Sequence, residues 1–441
     1  MPKSEVYFVD SRSLSPNTSL VVKTQDLFEA AGLCECFNPG DKVAIKIHMG
    51  EYNNTRYLRP VFVRAIVEKV KEHGGVPFVT DATTLPYTPF ASRSTASDHL
   101  KTVARNGFTS ETVGCPIVIA DGEVGTDDVR VDLPEGLLLL EQYIAKVIAE
   151  ADAMIVLSHF KGHPLGTYGG AIKNVGAGCA SKRGKYNFHL ANHPEYGLQN
   201  SVFKPGRCKG MDCEKWQLCE NSCPEGAIKI TEKTIEWDRE KCNSCLGHLM
   251  VASDCLVWYP PYLFFMATSV AIADSAAAVL KTFKEGKIGF INFAIDVTPF
   301  CDCVNWSDMP IIPDLGVFSS KDIVAVDTAC LDLSKKSRGM HESLAEEKGA
   351  IAEETPKFTT CSSYAGEEER IQINCGRKLG IGSMDYLLKK PPLMNHDISN
   401  YMVGTAPVAI RLKDFYKLNH PIPKEGFKRR PKMNFDLNEI L

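Results

Sequence analysis

Seven cysteines between residues 208 and 255 have types and spacings that suit iron–sulfur chemistry. Thiolates are soft ligands, and a 4Fe-4S cluster takes about four of them. The stretch Cys219-Glu-Asn-Ser-Cys223-Pro224 ends, after a three-residue gap, in the cysteine–proline pair that is typical of bacterial ferredoxins. The earlier gaps are irregular, and His248 stands where the second half lacks its third cysteine. The segment therefore predicts one or two 4Fe-4S clusters.

The cysteines divide into two predicted ligand sets. In two-cluster ferredoxins, the fourth cysteine of each motif serves the other cluster. That rule gives a first cysteine set of Cys208, Cys213, Cys219 and Cys255, and a second cysteine set of Cys223, Cys242 and Cys245 with His248 or an outside ligand. Paired Cys-x-x-Cys groups also bind tetrahedral zinc, which is the alternative for this segment. The Cys223-Pro-Glu-Gly-Ala-Ile228 sequence favours the iron–sulfur interpretation.

Charged and imidazole side chains follow three predicted strands at the point where each strand ends. They are Lys46 and His48 after one strand, Asp81 after the next, and His159, Lys161 and His163 after a third. Open parallel sheets bind ligands at the carboxyl ends of their strands, so these residues predict an active site. The histidines are candidates for acid–base catalysis or metal binding, the lysines for holding substrate charge, and the aspartate for orienting or coordinating. Solvated strand ends are the alternative.

Two loops add further candidate residues. Lys173-Asn-Val-Gly176-Ala-Gly178 places glycines beside a lysine, a combination that lets backbone N–H groups approach a carboxylate or phosphate. A solvated turn is the alternative there. Cys301-Asp302-Cys303, followed by Asp314, brings thiols and carboxylates together and suggests a metal or proton-transfer site. Two reduced cysteines near a loop are the alternative in that case.

The elements that must position these residues alternate between strand and helix patterns. We predict an α/β fold in which a mostly parallel sheet forms a host domain in two sequence halves, interrupted by a ferredoxin-like α+β module. The predicted boundaries are 1–199 for the first half of the host, 200–258 for the inserted module, 259–335 for the second half and 336–441 for a C-terminal covering segment. A helix is expected near Leu137–Ala149, and Ser319 with Asp322 resembles a capping box that opens a helix through Leu333.

The composition is that of an ordinary globular protein of 441 residues, 44% hydrophobic and 24% charged. A net charge of −4 and a pI near 6.3 argue against nucleic acid or an anionic membrane as the partner. The apolar segment 262–279 carries Asp274, which makes membrane insertion costly and predicts a buried soluble helix. The start lacks the apolar stretch of a signal peptide, so a cytoplasmic location with reduced cysteines is expected. No Gly-x-Gly-x-x-Gly follows the first strand, so NAD is not predicted.

Four motifs occur together in this chain. They are Lys46-x-His48-x-Gly50-Glu51, Ser158-His-Phe-Lys-Gly-His163, Gly169-Gly-Ala-Ile-Lys-Asn-Val-Gly176 and Cys301-Asp-Cys303 ahead of Pro313-Asp314. Together they resemble the domain-of-unknown-function 362 (DUF362) family over nearly the whole chain. The resemblance implies an iron–sulfur protein of prokaryotes, mainly anaerobes, with a ferredoxin-type insert at the same place and no generally established reaction.

These features favour a cytoplasmic oxidoreductase as the leading hypothesis. Its α/β domain binds a small anionic substrate, and the inserted module relays electrons from a ferredoxin-like or other redox-protein donor. The alternative is a non-catalytic electron carrier or accessory protein that serves a partner enzyme and needs no substrate pocket. A third hypothesis is a structural cluster in a redox-neutral lyase or isomerase.

Overall fold

The computed structural model describes residues 3–85, 91–204, 206–242, 247–252, 255–257, 261–364, 366–392, 423 and 428–429. The chain divides into two compact units, Met1–Leu393 and Met394–Leu441. The architecture below is that of the first unit.

The strands come in chain order along the whole first unit. They are β1 (Ser4–Asp10), β2 (Lys42–Ile47), β3 (Val76–Asp81), β4 (Ile117–Ile119), β5 (Asp128–Asp132), β6 (Glu141–Ala145), β7 (Ala153–His159), β8 (Lys161–His163), β9 (Thr167–Gly169), β10 (Val202–Phe203), β11 (Ile228–Ile230), β12 (Ile235–Trp237), β13 (Leu256–Val257), β14 (Ile288–Ala294), β15 (Gly316–Ser320) and β16 (Tyr386–Lys389).

Helices alternate with these strands. They are α1 (Leu20–Ala30), α2 (Pro60–Glu72), α3 (Ala96–Arg105), α4 (Ser110–Val113), α5 (Lys146–Ala149), α6 (Ala171–Gly176), α7 (Lys182–Phe188), α8 (Trp216–Asn221), α9 (Gly247–Ala252), α10 (Pro261–Lys281), α11 (Ile323–Lys336), α12 (Leu344–Glu347), α13 (Lys357–Cys361) and α14 (Ile371–Lys378). Short 3₁₀ turns cover Pro16–Thr18, Leu33–Cys36, Leu198–Asn200 and Gly210–Asp212.

Eight strands form the main sheet, in the order β16-β1-β15-β14-β7-β2-β3-β4. From β14 to β4 every neighbouring pair is parallel, and β15 alone runs against both of its neighbours. The predicted mostly parallel α/β sheet is therefore confirmed. Because β2, β3, β7 and β14 run in the same direction, their carboxyl ends meet at one edge of the sheet.

Two apolar cores cover the two faces of this sheet. Val43 and Ile45 point to the core formed with α1, α2, α3 and α4, while Ala44 points to the core formed with α6, α10 and α11. Lys46 shares the face of Ala44, because successive strand side chains alternate between faces. The side chain of Lys46 is thereby directed toward α6.

Two local predictions differ from the structure. Instead of one helix over Leu137–Ala149, residues 141–145 form strand β6, which pairs antiparallel with β5, and only Lys146–Ala149 are helical. The main-chain hydrogen bonds of that hairpin outweigh the helical pattern of the apolar residues. Ser319 lies in strand β15, and the cap of α11 is Asp322, whose carboxylate accepts the N–H groups of Val324 and Ala325.

The cysteine-rich segment, which is the predicted module of residues 200–258, has its own small core. Strand β10 pairs antiparallel with β13, which brings the two ends of the segment together. Strands β11 and β12 form a second pair, and Ile228 and Ile230 pack with Cys219 and the end of α9. The predicted boundaries at residues 200 and 258 remain predictions.

Helix α10 is long and apolar enough to cross a membrane, but 78% of its apolar window is buried in the fold. Its one charged side chain in the middle, Asp274, accepts hydrogen bonds of 2.7–2.8 Å from the N–H groups of Leu137, Leu138 and Leu139. These bonds tie the helix to the loop before β6. Helix α10 is therefore a core helix of this fold, as the sequence predicts.

Candidate active site

A cavity of about 770 Å³ opens at the carboxyl ends of β2, β3 and β7. It collects most of the residues that the sequence singles out in separate motifs. Its lining includes Lys46, His48, Asp81, His159, Lys161, His163, Lys173 and Gly178. Parallel strand ends are the reason that side chains more than a hundred residues apart converge here.

Lys46 and Asp81 form a buried ion pair at the base of the cavity. The Lys46 Nζ lies 3.0 Å from Asp81 Oδ1 and donates to Asn174 Oδ1 at 2.8 Å. Burial raises the pKa of Asp81, but the nearby charges, with Lys46 first and Arg93 and Lys185 among the others, together outweigh it and the net shift is downward. Lys46 is fully buried, so this pair couples strands β2 and β3 to helix α6. Asp81 is held as a carboxylate that orients its neighbours.

His48 and His163 are held in the same way. The Nδ1 of His48 accepts the N–H of Gly50 at 3.1 Å, and the Nδ1 of His163 accepts the N–H of Leu165 at 3.1 Å. Burial, followed by nearby positive charges, lowers the pKa of each ring well below its usual value, so both rings are neutral. A neutral ring that accepts at Nδ1 carries its proton on Nε2. Each histidine therefore offers the cavity an N–H donor.

His159 is bonded to the protein through both ring nitrogens. Its Nδ1 lies 2.8 Å from Asp302 Oδ1, and its Nε2 lies 2.8 Å from the carbonyl oxygen of Ile295. Lys161 places its ammonium group 3.4 Å from Asp302 Oδ2. Burial raises the pKa of Asp302, but the charges of His159 and Lys161 lower it to about 2. His159 and Asp302 therefore act as a rigid support for the cavity wall.

Positive charge dominates the cavity. Six of the lining side chains are Lys or Arg, and one is an Asp. Burial and the nearby charge of Lys161 lower the pKa of Lys173 to about 7, and burial lowers the pKa of Lys185 to about 8. Both lysines regain a full charge when an anion compensates them. The cavity is thus built to receive negative charge.

Several ionisable residues of the lining are not among the candidate site residues, and Arg93, Lys185 and His189 are three of them. Arg93 donates to Glu51 Oε2 at 3.1 Å, and both side chains are buried. Lys185 lies on α7, and burial lowers the pKa of His189, at the end of the same helix, to about 3. None of the three belongs to a strand-end motif, so no periodic signal marks them. Only the run from Lys173 to Lys185, in which small residues stand among positive charges, pointed in this direction.

The two predicted glycine positions serve close packing. A side chain on Gly178 would strike the Asn174 carbonyl oxygen and the Lys46 ammonium, so only glycine leaves room for the Lys46 side chain. Gly176 lies against the backbone of Ile272 in α10 in the same manner. The N–H of Gly178 donates to the carbonyl oxygen of Asn174. Lys173, which lies on α6, also faces the cavity.

Asp314 lies apart from the cavity lining. Its Oδ1 accepts the N–H of Asp296 at 2.7 Å. Asp296 has a φ of 48° and pairs with Arg56 and Arg59, so Asp314 stabilises an unusual backbone conformation after β14. The structure therefore brings Asp302 next to the cavity and leaves Asp314 on the far side of that loop.

The first cysteine set is brought together by the fold. Burial, followed by the neighbouring thiols of Cys213, Cys208 and Cys255, raises the pKa of the Cys219 thiol to about 11, which places all four within electrostatic range. Tetrahedral zinc would hold its thiolate sulfurs about 4 Å apart. Among the described side chains, however, the compact groups of ligand atoms within 4.8 Å include none from this segment.

The second cysteine set is described only in part. Cys242 is buried, and the Cys223 Sγ accepts the N–H of Ala227 at 3.1 Å. Cys245 lies outside the described residues, and so does the side chain of His248. The prediction of a second cluster therefore remains a prediction.

The cysteine-rich segment borders the cavity. Lys204 and Leu256 contribute to the cavity lining. The N–H of Lys204 donates to the carbonyl oxygen of Cys255 at 2.7 Å, and Leu256 follows Cys255 directly in the chain. The predicted cluster ligand Cys255 is therefore one residue away from the cavity wall.

Comparisons with known proteins identify the family of this chain and find solved structures of low similarity. The family described as "Domain of unknown function (DUF362)" matches residues 43–332. No curated protein matches the chain. Similar solved structures include the lactate racemase apoprotein from Thermoanaerobacterium thermosaccharolyticum, 14% identical with a TM-score of 0.32, which covers 66% of this chain and 51% of that one. A protein from Thermotoga maritima is 11% identical with a TM-score of 0.34, and the match covers 65% of this chain and 52% of that one. The chain spans about half the length of these solved structures.

Proposed function

The chain belongs to the DUF362 family, and from its own site we propose that it is an iron–sulfur oxidoreductase that acts on a small anionic molecule. The observation that carries this proposal is the shared wall between the cavity and the cysteine-rich segment. Lys204 and Leu256, the neighbours of Cys255, line the same cavity as His163 and Lys173. A pure electron carrier needs no such cavity beside its cysteines.

The first cysteine set suits a 4Fe-4S cluster because its four thiols lie within electrostatic range of one another, in a segment that carries the cysteine–proline ending of bacterial ferredoxins. Cys208, Cys213, Cys219 and Cys255 would hold the cluster, which supplies one-electron transfer when bound. A ferredoxin-like protein is the expected electron donor. Hydrogen bonds to the sulfurs, such as the one from the Gly210 N–H to Cys208 Sγ, tune such a cluster.

The chain's own residues bind and orient the substrate. Burial lowers the pKa values of Lys173 and Lys185 to about 7 and about 8, so binding of an anion raises these values and is accompanied by proton uptake near neutral pH. The Nε2–H group of His48 donates a hydrogen bond to one of its oxygen atoms. The Lys173 ammonium, with a pKa of about 7, is also a suitable proton donor for a reduced product.

Cluster content is tested first. The full chain is purified anaerobically, and iron, sulfide and the electron paramagnetic resonance spectrum of the reduced protein are measured. About four irons per chain indicate one cluster and about eight indicate two. Cys219→Ser should lose the signal of the first cluster, whereas Cys375→Ser, a change at a half-buried cysteine of α14, should keep it. Zinc without sulfide would contradict the cluster.

Anion binding is tested separately by calorimetry. Oxalate and oxamide have nearly the same shape, but only oxalate is charged at neutral pH. Wild type should bind oxalate at least ten-fold more tightly than oxamide, and Lys173→Met should remove that preference while leaving the spectrum of the cluster unchanged. Equal binding of the two compounds by wild type would refute an anion site. An intact cluster without an anion site would favour the electron-carrier hypothesis over the oxidoreductase.

A further inference from the structure

A disulfide joins Cys301 and Cys303 in the wall of the cavity. The two sulfur atoms have different surroundings. Cys301 is fully buried, whereas Cys303 is partly exposed and lines the cavity. The proposed oxidoreductase site uses neither of them. One sulfur of this bond is thus open to a molecule in the cavity, and the other is protected.

The disulfide is poorly suited to a purely structural role. It closes a loop of three residues, and a bridge stabilises a fold mainly in proportion to the length of loop that it closes. The loop is already anchored by Asp302, whose carboxylate binds His159 and whose carbonyl oxygen accepts the N–H of Glu51 at 2.8 Å. These bonds keep the 301–303 loop in place whether or not the two sulfurs are joined.

Each sulfur also has an N–H group nearby that stabilises a thiolate. The N–H of Cys303 donates to Cys301 Sγ at 3.2 Å. The Nε2 of His163 lies 3.7 Å from Cys303 Sγ. Because Nδ1 of that ring accepts the N–H of Leu165, Nε2 carries the proton and donates toward the sulfur. Hydrogen bonds to the charged form of a thiol favour that form.

The same geometry argues against a single metal ion at this place. His163, Cys301 and Cys303 do form a compact group, with their ligand atoms within 4.8 Å of one another. A protonated Nε2 has no lone pair to offer a metal, so the ring serves as a donor to sulfur instead. The tight packing of Gly162, between His163 and Lys161, against the backbone of Pro299 fixes this arrangement.

We propose that Cys301 and Cys303 are a redox-active disulfide–dithiol couple, and that its reduced form presents the Cys303 thiolate to a molecule bound in the cavity. The reductant is a dithiol, either a small molecule or a thioredoxin-class protein. Its thiolate attacks the accessible Cys303 sulfur, the disulfide breaks, and Cys301 leaves as a thiolate that takes a proton from solvent. The second thiol of the reductant loses its proton to solvent, closes its own disulfide and releases Cys303 as a thiolate. The couple gains two electrons and the dithiol loses two.

A tryptic peptide makes the couple measurable. Residues 288–321 contain no internal Lys or Arg, and their only cysteines are Cys301 and Cys303. The full chain is equilibrated anaerobically with mixtures of oxidised and reduced dithiothreitol and is then alkylated with iodoacetamide. After digestion with trypsin, the mass of this peptide is measured by mass spectrometry. We expect this peptide to pass from an unalkylated to a doubly alkylated form in one two-electron transition. A peptide that is doubly alkylated in every mixture would overturn the proposal.

His163 is tested through the pH profile of alkylation in the reduced protein. His163→Phe should slow alkylation of Cys303 by about ten-fold at pH 7 and leave the rate at high pH unchanged, because only the thiolate fraction changes. Cys375→Ser is the matched control and should behave as wild type. An unchanged profile in His163→Phe would overturn the role of that ring.

Two further variants separate this proposal from its alternatives. Cys219→Ser should lose the predicted cluster yet keep the two-electron transition of the peptide, so failure of one proposal is distinguishable from failure of the other. The metal content of Cys301→Ser should equal that of wild type. If this variant instead loses a bound ion, His163, Cys301 and Cys303 are a metal site, and the couple is refuted.

Discussion

Replacing Lys173 tests the charge balance of the cavity most directly. Its ammonium group lies on the cavity wall, and no hydrogen bond or ion pair with another described residue holds it. Burial and the neighbouring Lys161 lower its pKa from about 10.5 to about 7. Lys173→Met keeps most of the length of the side chain and removes the charge. We expect the variant to be more stable than wild type and unable to prefer oxalate over oxamide.

The magnitude follows from linkage between protonation and folding. A folded-state pKa below the unfolded value means that the unfolded chain binds more protons between pH 7 and 10.5, so wild-type stability rises with pH in that window. At pH 7 a shift of this size corresponds to roughly 4 kcal/mol. The side chain is only half-buried and faces the cavity, so we expect about half of that, on the order of 2 kcal/mol. Roughly half of that gain should remain at pH 9.5.

The free energy of unfolding is measured by anaerobic urea titration with circular dichroism at pH 7 and pH 9.5. Lys204→Met is the control, because this lysine also lines the cavity but is exposed, and its replacement should change stability by less than about 0.5 kcal/mol. Two results would refute the destabilising effect of the Lys173 charge. One is a Lys173→Met variant that is less stable than wild type at pH 7, and the other is a gain in the free energy of unfolding that does not shrink at pH 9.5.

Three other variants follow from the structure. Asp302→Asn leaves the buried Lys161 without its carboxylate and should lower the free energy of unfolding, measured with urea at pH 7, by about 3 kcal/mol. The difference from wild type should shrink as the pH falls from about 4 toward 2, because Asp302 becomes protonated in the folded wild type there. Gly178→Ala places a methyl group against the Lys46 ammonium and should lower both stability and oxalate affinity, whereas Gly380→Ala, at an open position, should leave oxalate affinity unchanged. Asp274→Ala removes the acceptor of three N–H groups and should cost about 3 kcal/mol or more; a loss below about 1 kcal/mol would contradict the role given to this carboxylate.

Local periodicity explains why much of the host sheet was predictable. The strands around Lys46 and His159 are short apolar runs that end in polar residues. Such runs can be recognised as strands from the local sequence alone. The helix expected near Leu137–Ala149 was wrong because its residues pair with β5 and with the carboxylate of Asp274. Those partners are distant in sequence, so no local pattern reveals them.

The sequence alone determined the chemical inventory of this protein: the two cysteine sets, the strand-end lysines and histidines, and a mostly parallel α/β sheet. The tertiary structure decided what each of those residues faces. His159 binds the protein through both ring nitrogens, His48 and His163 turn N–H donors to the cavity, and Cys303 meets His163 from a loop 140 residues away. Residue type and spacing fix which chemistry is available, but hydrogen-bond partners, burial and pKa values depend on contacts between distant segments, which only folding creates.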